Sequence, residues 1–170
     1  MPWTIDPTHS QIQFAVKHMG ISTVRGTFGT FSGTIADTDG QVTGADVTID
    51  VASLHTGNEQ RDGHLKSPEF FDVAQFPSAT FALTTFERTG DAVTATGTLT
   101  LRGVSRPVTL TGEVGGPAKD PWGQEKVSAE LTGAISRADF GLTWNVALEA
   151  GGFLVSDQVK LSVDVQAVKG

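Results

Sequence analysis

The chain has 170 residues, which is the usual length of one domain, 1–170, and is enough to bury a substantial core. Its net charge is −7 and its 12 Lys and Arg form no run, which argues against nucleic acid or an anionic lipid surface as a partner. It contains no cysteine, so disulfides, thiol nucleophiles and thiolate metal sites are excluded.

The distribution of apolar residues gives no sign of a membrane-spanning helix. No run reaches the roughly 18 apolar residues that such a helix needs. The first residues, MPWTIDPTHS, contain neither the basic nor the apolar region of a secretory signal. A cytoplasmic location is therefore the expectation.

Alternation of apolar and polar residues with period two dominates the chain and predicts eight strands. In chain order these are SQIQFAVKH, VRGTFGTFSGTI, ADVTIDVAS, SATFALTTF, AVTATGTLTL, RPVTLTGEV, KVSAELTGAI and SDQVKLSVDVQAV. In the second strand the alternation changes phase beyond Gly29, which predicts a bulge at that residue.

Two segments interrupt the strand pattern. The first, near 58–66, is predicted to form a short helix capped by Asn58, although Gly63 weakens it. The second, near 139–154, mixes a helical turn with a glycine pair and is predicted to be irregular. It is also rich in apolar residues, and so is expected to plug one end of the fold or to form the mouth of a pocket.

Eight antiparallel strands with one apolar face each can stack as a sandwich or close as a barrel, and closure removes the sheet edges. A barrel of this size is filled by side chains or holds one small ligand. Small residues on the apolar faces favour an internal cavity, while a core packed by bulky partners stays open as the alternative. These small residues are Ala95, Gly97, Ala129 and Gly133.

The sequence shows no catalytic motif of the nucleophile-elbow, phosphate-loop or dinucleotide type. His55, Glu59, Asp62 and His64 lie close in sequence, but their spacing matches no standard metal site. No catalytic residue, metal or cofactor is therefore predicted.

Three other polar residues are interpreted individually, two of them with an alternative. His18 ends an apolar strand face, so it is either a core histidine or a donor to a ligand at the rim. Arg137 is interpreted mainly as the partner of Asp139 in a local ion pair, with substrate orientation as the alternative. Arg102, which precedes Gly103, is interpreted as part of an exposed hairpin turn.

Four ordered blocks of the sequence resemble the YceI-like family, and the similarity extends from about Trp3 to Val168. The blocks are WTIDPTHSQIQFAVKHMGISTVRGTFGTFSG, NEQRDGHLKSPEFFDVAQFPSATF, GTLTLRGVSRPVTL and ISRADFGL. The resemblance implies an all-β fold, an eight-stranded antiparallel lipocalin-like barrel around an elongated apolar pore. It also implies a polyisoprenoid, quinone-like or fatty amphiphilic ligand as the partner, with its polar head near one end. Many members of the family carry an export signal.

On this interpretation, one set of residues lines the pore and another forms the mouth around the head group. The predicted pore lining consists of Phe14, Val16, Phe28, Phe31, Phe81, Leu83, Leu99, Phe140, Trp144 and Phe153. The predicted mouth consists of His18, Arg61, His64, Lys66, Phe70 and Phe71. In the alternative, Arg61 and Asp62 pair within their loop while Phe70 and Phe71 fasten that loop to the barrel.

The resemblance favours a non-enzymatic lipid binder for storage, transport or sensing, with at most transient membrane contact. One alternative is an enzyme that acts on an isoprenoid lipid or its diphosphate, with His64 and Asp62 as the acid–base pair. Another is a filled barrel whose surface binds a protein. The sequence does not determine the oligomeric state, and a homodimer stays open.

Overall fold

A computed structural model describes residues 2–146, 148 and 154–170. Within these residues the chain forms eleven strand segments, one α-helix and three short 3-10 helices. The strands are β1 (Trp3–Ile5), β2 (Gln11–His18), β3 (Ser22–Phe28), β4 (Phe31–Thr38), β5 (Gln41–Asp50), β6 (Leu54–His55), β7 (Ser78–Thr89), β8 (Ala92–Leu101), β9 (Val104–Lys119), β10 (Glu125–Ser136) and β11 (Gln158–Lys169). The helices are α1 (Glu59–Lys66) and the 3-10 helices Pro7–His9, Val51–Ser53 and Arg137–Phe140.

The strands form one antiparallel sheet that closes on itself. Their order is β1-β4-β5-β7-β8-β9-β10-β11-β2-β3-β6, and β1 also pairs with β11. Both β1 and β2 lie along β11, and β3 and β4 pair with β2 and β1 respectively. With β1 and β2, β3 and β4, and β5 and β6 each taken as one interrupted strand, the described residues form a closed eight-stranded barrel. The predicted fold class is confirmed.

All eight predicted strands are present, and the bulge predicted near Gly29 is a complete break between β3 and β4. The Gly29 N–H donates to the Ser53 carbonyl at 3.2 Å, and the Thr30 N–H donates to the Ser53 hydroxyl at 3.0 Å. The break changes the alternation, so Phe28 before it and Phe31 after it can both face inwards. The strands that sequence reasoning missed, β1 and β6, are too short to show a period.

The described parts of the two interrupting segments lie at one end of the barrel, which we call the mouth end. The hairpin between β2 and β3, helix α1, the β8–β9 turn and residues 137–146 and 154–157 meet there. The predicted helix is confirmed as α1, and Asn58 caps it by accepting a hydrogen bond from the Arg61 N–H at 2.9 Å. The predicted irregular segment begins in the 3-10 helix Arg137–Phe140 and has neither helix nor strand through 141–146.

At the opposite end, the closed end, side chains fill the barrel. The β4–β5, β7–β8 and β9–β10 connections lie at this end. The buried side chains nearest to it are Trp3, Ile5, Val93, Ala95 and Ala167. No helix in the described residues is long and apolar enough to cross a lipid bilayer.

Candidate functional site

The mouth half of the barrel contains an apolar cavity of about 320 Å³. This volume lies at the lower end of the range of small-molecule sites, about 300–1,000 Å³. The apolar walls come from strands all round the barrel, from α1 and from the segment after β10. They include Ile12, Phe14, Val16, Val24, Phe28, Val47, Ile49, Leu65, Phe70, Phe71, Phe81, Leu99, Leu101, Val108, Leu110, Ile135, Leu142, Trp144, Leu154, Val155, Val159, Leu161 and Val163. Among the described residues, the polar or charged side chains on the wall are His18, Arg61, His64 and Arg137.

Three phenylalanines form a cluster on one side of the cavity. The ring centroids of Phe14 and Phe28 are 5.5 Å apart, and Phe71 lies 6.4 Å from Phe14 and 6.1 Å from Phe28. The Phe14 ring lies directly over Gly26 of β3, where an added Cβ would be 2.3 Å from the Phe14 Cζ. The glycine therefore lets this ring lie against the barrel wall instead of projecting into the cavity.

The small residues that favoured a cavity have a related effect on their neighbours. An added Cβ on Gly97 would meet the Phe81 Cζ at 2.4 Å, and one on Gly133 would meet the Leu110 Cδ2 at 2.7 Å. Large side chains from adjacent strands thus lie across these glycines. The glycines themselves are covered, and the cavity wall is made by Phe81 and Leu110.

Helix α1 is fastened to the barrel by a buried carboxylate. Asp62 accepts hydrogen bonds from the backbone N–H of Thr56, at 3.0 Å, and from its hydroxyl. The Nδ1 of His55 lies 3.6 Å from the other carboxylate oxygen. These contacts fix the helix that carries Arg61 and His64.

Arg61 lies on the cavity wall with part of its guanidinium already engaged. Its Nε donates to the Thr56 hydroxyl at 2.8 Å, and its Nη2 donates to the Thr56 carbonyl at 2.7 Å. Arg61 and Asp62 thus share Thr56, and they do not form the ion pair considered from the sequence. The remaining nitrogen, Nη1, has no protein acceptor within the described residues and is available to a ligand.

His64 connects α1 to the segment after β10. Its Nε2 contacts the Glu69 carboxylate, and its ring packs edge-on against Phe70 at 5.0 Å and Trp144 at 4.7 Å. The rings of Phe70 and Trp144 are 5.3 Å apart. All three rings line the cavity, so the two segments that break the strand pattern together form its mouth.

Arg137 is a buried cation, only 5% exposed, and its role differs from the predicted ion pair with Asp139. It donates hydrogen bonds to four backbone carbonyls, those of Leu142 (2.7 Å), Ser156 (2.8 Å), Trp144 (2.9 Å) and Val155 (3.3 Å). Burial lowers the pKa of Arg137 from its usual value, and the nearby Asp157 carboxylate opposes that shift. Arg137 thus holds both sides of the mouth segment in place.

Arg102 lies in the hairpin turn between β8 and β9, as predicted, but its side chain is half-buried and not exposed. Its Nη1 donates to the Gly141 carbonyl at 2.9 Å and its Nη2 donates to the Pro68 carbonyl at 2.8 Å, while its buried Nε has no acceptor among the described residues. The side chain therefore connects the β8–β9 turn to the residues that follow α1 and to the residues that follow the 3-10 helix Arg137–Phe140. No local pattern predicts these contacts, because they join residues more than thirty positions apart.

The structure brings most of the predicted site residues to the cavity. The predicted residues that line it are Phe14, Val16, His18, Phe28, Arg61, His64, Phe70, Phe71, Phe81, Leu99 and Trp144. The predicted lining is corrected at Phe31 and Phe140, which are buried in the packed core, and at Leu83, which lies beyond Phe81 towards the closed end. Lys66 is half-buried outside the cavity wall, so it is removed from the mouth. Phe153 lies outside the described residues.

Sequence reasoning missed several aliphatic lining residues, including Ile12, Ile49, Val108 and Leu161. Their inward direction follows from period two, but their depth along the barrel does not. The proposed acid–base pair is not assembled, because Asp62 and His64 have separate partners. Within the described ranges, no three His, Asp or Glu side chains gather as a metal site would require.

Comparisons with a family model and with known sequences point to the same family. The family model of the YceI-like domain matches residues 3–167. Protein YceI of Salmonella arizonae is 37% identical over 163 residues, which cover 95% of this chain and 82% of the relative.

Solved structures share the fold. The Campylobacter jejuni YCEI protein superimposes with a TM-score of 0.79 at 35% identity, covering 91% of this chain and 90% of that one. A polyisoprenoid binding domain from Saccharophagus degradans has a TM-score of 0.75 at 20% identity, with 97% of each chain covered. At that identity the second likeness shows the fold alone.

Proposed function

This chain belongs to the YceI-like family, and we propose that it binds an isoprenoid or similar elongated amphiphilic lipid as a non-enzymatic carrier, store or sensor. The observation that carries the proposal is the apolar cavity, which opens at one end of the barrel and is lined by aliphatic and aromatic side chains. The polyisoprenoid binding domain of similar fold supports a lipid of this class.

The polar head of the ligand would lie among the charged and polar side chains of the wall. The free Nη1 of Arg61 can donate to a phosphate, carboxylate or carbonyl oxygen, and such charge-assisted hydrogen bonds are stronger than neutral ones. His18 and His64 line the same cavity and can add a hydrogen bond each. The apolar chain would extend from there towards the middle of the barrel.

The energetics favour exchange with a membrane over capture from water. Burying one methylene contributes about 0.8 kcal/mol relative to water. A lipid that moves from a bilayer to the cavity exchanges one apolar environment for another, so this contribution nearly cancels. The head-group contacts and the cavity shape then decide whether the protein takes the lipid.

The lipid-directed enzyme is the less favoured proposal because Asp62 and His64 face different partners. The alternative of a barrel filled by side chains, with a protein-binding surface, is also less favoured, because the mouth half contains the cavity. A carrier returns its ligand unchanged, so incubation with a polyprenyl diphosphate should release no phosphate above a protein-free control.

Organic-solvent extraction of the purified protein, followed by mass spectrometry, tests the proposal. We expect an isoprenoid-type lipid at close to one per chain. An empty extract, still empty after the protein is refolded with polyprenyl lipids, would contradict it.

The head-group assignment needs its own variants. The double variant Arg61→Ala and His64→Ala should bind the lipid with lower affinity. Circular dichroism should show that its fold is unchanged. The control pair Arg88→Ala and His9→Ala removes the same residue types away from the cavity and should leave affinity unchanged. Equal affinity in both pairs would show that the head lies elsewhere.

A further inference from the structure

Three exposed apolar side chains surround part of the mouth. Ile21 is 82% exposed, Met19 48% and Val146 47%. The Met19 N–H donates to the Leu154 carbonyl at 2.7 Å, and the Leu154 N–H donates to the Val146 carbonyl at 2.9 Å, so these segments adjoin. We call Met19, Ile21 and Val146 the apolar rim. Because Leu154 lines the cavity, the rim adjoins the cavity wall at the mouth end.

Three cations lie on the outer surface just behind this rim. Lys17 on β2, Arg25 on β3 and Lys160 on β11 are all exposed, and we call them the basic face. Arg25 and Lys160 both pair with Ala15 in register, so they flank it on neighbouring strands, about 10 Å apart. Within the described residues, no carboxylate lies within ion-pair distance of any of the three.

Acidic side chains form a row further towards the closed end. Glu113, Glu130 and Asp164 lie directly opposite one another on β9, β10 and β11. Asp164 is four residues along β11 from Lys160, about 13 Å away. These three paired carboxylates therefore lie away from the mouth, whereas the exposed Asp139 and Asp157 lie at the mouth end beside Arg137.

We propose that the apolar rim and the basic face dock onto a lipid bilayer that contains anionic phospholipid, with the cavity opening facing the membrane. An apolar group beside cations is the combination that binds an anionic interface. The acidic row is repelled by the same surface and orients the mouth towards it. The proposal departs from the expectation drawn from net charge, because barrel closure brings together cations that are scattered in sequence.

The inference rests on the proposed function for its purpose, since docking would place the cavity where a lipid can enter or leave. Docking itself can be measured whether or not the protein carries a lipid. If the protein docks but its extract contains no lipid, the docking proposal stands and the proposed ligand is wrong. If the protein carries a lipid but does not dock, only the docking proposal is wrong.

The absence of cysteine permits a matched pair of single labels. Ile21→Cys and Trp122→Cys would each carry an environment-sensitive apolar fluorophore, one on the rim and one on the β9–β10 turn at the closed end. Trp122 is 87% exposed, so both labels start in water. With vesicles of phosphatidylcholine and phosphatidylglycerol, we expect a blue shift at position 21 only, weaker at high salt and with phosphatidylcholine alone.

Charge variants test the basic face separately. Arg25→Gln and Lys160→Gln should each lower the vesicle partition coefficient about fivefold, the effect of one basic residue near an anionic surface. Lys119→Gln changes the same charge at the closed end and should have less than about a twofold effect.

Four results would overturn the proposal. Three of them are no binding to anionic vesicles, an equal response of the label at position 122, and equal losses in all three charge variants. The fourth is a blue shift of the label at position 21 without vesicles together with a dimer in sedimentation, because a second copy of the chain would then cover the rim.

Discussion

The two halves of the barrel use similar strands for different purposes. In the closed half, Trp3, Ile5, Val93 and Ala167 fill the interior, as in an ordinary core. In the mouth half, inward-facing aliphatic residues of the same strands surround an empty volume. An apolar residue that points inwards can therefore serve stability or binding, according to its depth along the barrel axis.

The halves also differ in what holds them together. The closed half depends on packing and on hairpin-linked strands. At the mouth, polar side chains fasten segments that have no strand partners: Arg137 binds four carbonyls, Arg102 binds two and Asp62 holds α1. Fixed polar contacts keep the mouth ordered without filling the cavity.

The largest effect should come from truncating a packed ring and comparing it with a cavity-lining ring. Phe140 is 1% exposed in the core, so Phe140→Ala should lower the free energy of unfolding by about 3–5 kcal/mol. Phe28 is only half-buried, with its ring between Phe14, Phe71 and the cavity, so Phe28→Ala should cost less, about 2 kcal/mol. Urea unfolding measures both, and equal losses would mean that the cavity wall is packed like the core.

Removing the hydrogen bonds that Arg137 donates to backbone carbonyls should have the next largest effect. Arg137→Met keeps much of the length but leaves four carbonyls without their donor, which should cost about 2 kcal/mol. Hydrogen exchange should rise at Leu142 and Val155. Arg106→Met is the control, because Arg106 is exposed and bonds one carbonyl, and it should change stability by under about 0.5 kcal/mol. Similar losses of stability in both variants would contradict the proposed role of Arg137 in holding the mouth.

A methyl group at Gly26 should affect binding more than folding. The nearest atoms to a Cβ there all belong to the Phe14 ring, which would have to turn into the cavity. Displacing two methylenes of a ligand, at about 0.8 kcal/mol each, would lower affinity about tenfold. Gly44→Ala adds the same group where nothing lies within 4 Å, so its affinity should match the wild type. Unchanged affinity in Gly26→Ala would show that the ligand avoids Phe14.

Acid should loosen the mouth slightly. The Ser136 hydroxyl, the Ala138 N–H and Arg137 hold the pKa of Asp157 below its usual value. Its stabilisation is thus present above the unfolded-state pKa, about 3.9, and is lost as the pH falls through the lower folded-state pKa. Solvent screening keeps the effect below about 1 kcal/mol.

Urea midpoints measured from pH 5 to pH 2 check this dependence. Asp157→Asn should flatten the pH profile, while the exposed Asp139→Asn should leave its slope unchanged. If the urea midpoint of Asp157→Asn depends on pH as strongly as that of the wild type, the acid sensitivity comes from other carboxylates.

The sequence predicts those features of this fold that have a local cause. Period two identifies the strands, the phase change locates the break at Gly29, and Asn58 marks the start of α1. The packed positions of Phe31 and Phe140 were not predictable in this way, because alternation indicates direction and not depth. Contacts of Arg102 and Arg137 depend on segments brought together only by barrel closure.

The central claim is that an isoprenoid-type lipid occupies the mouth half and not the closed half. Cross-linking the protein to a photoreactive isoprenoid phosphate, followed by peptide mapping, tests this most directly. We predict adducts on cavity residues such as Phe14, Trp144 and Leu161, which excess unlabelled lipid abolishes. Adducts on the outer surface that survive competition, or on Val93 and Ala95 at the closed end, would contradict the account.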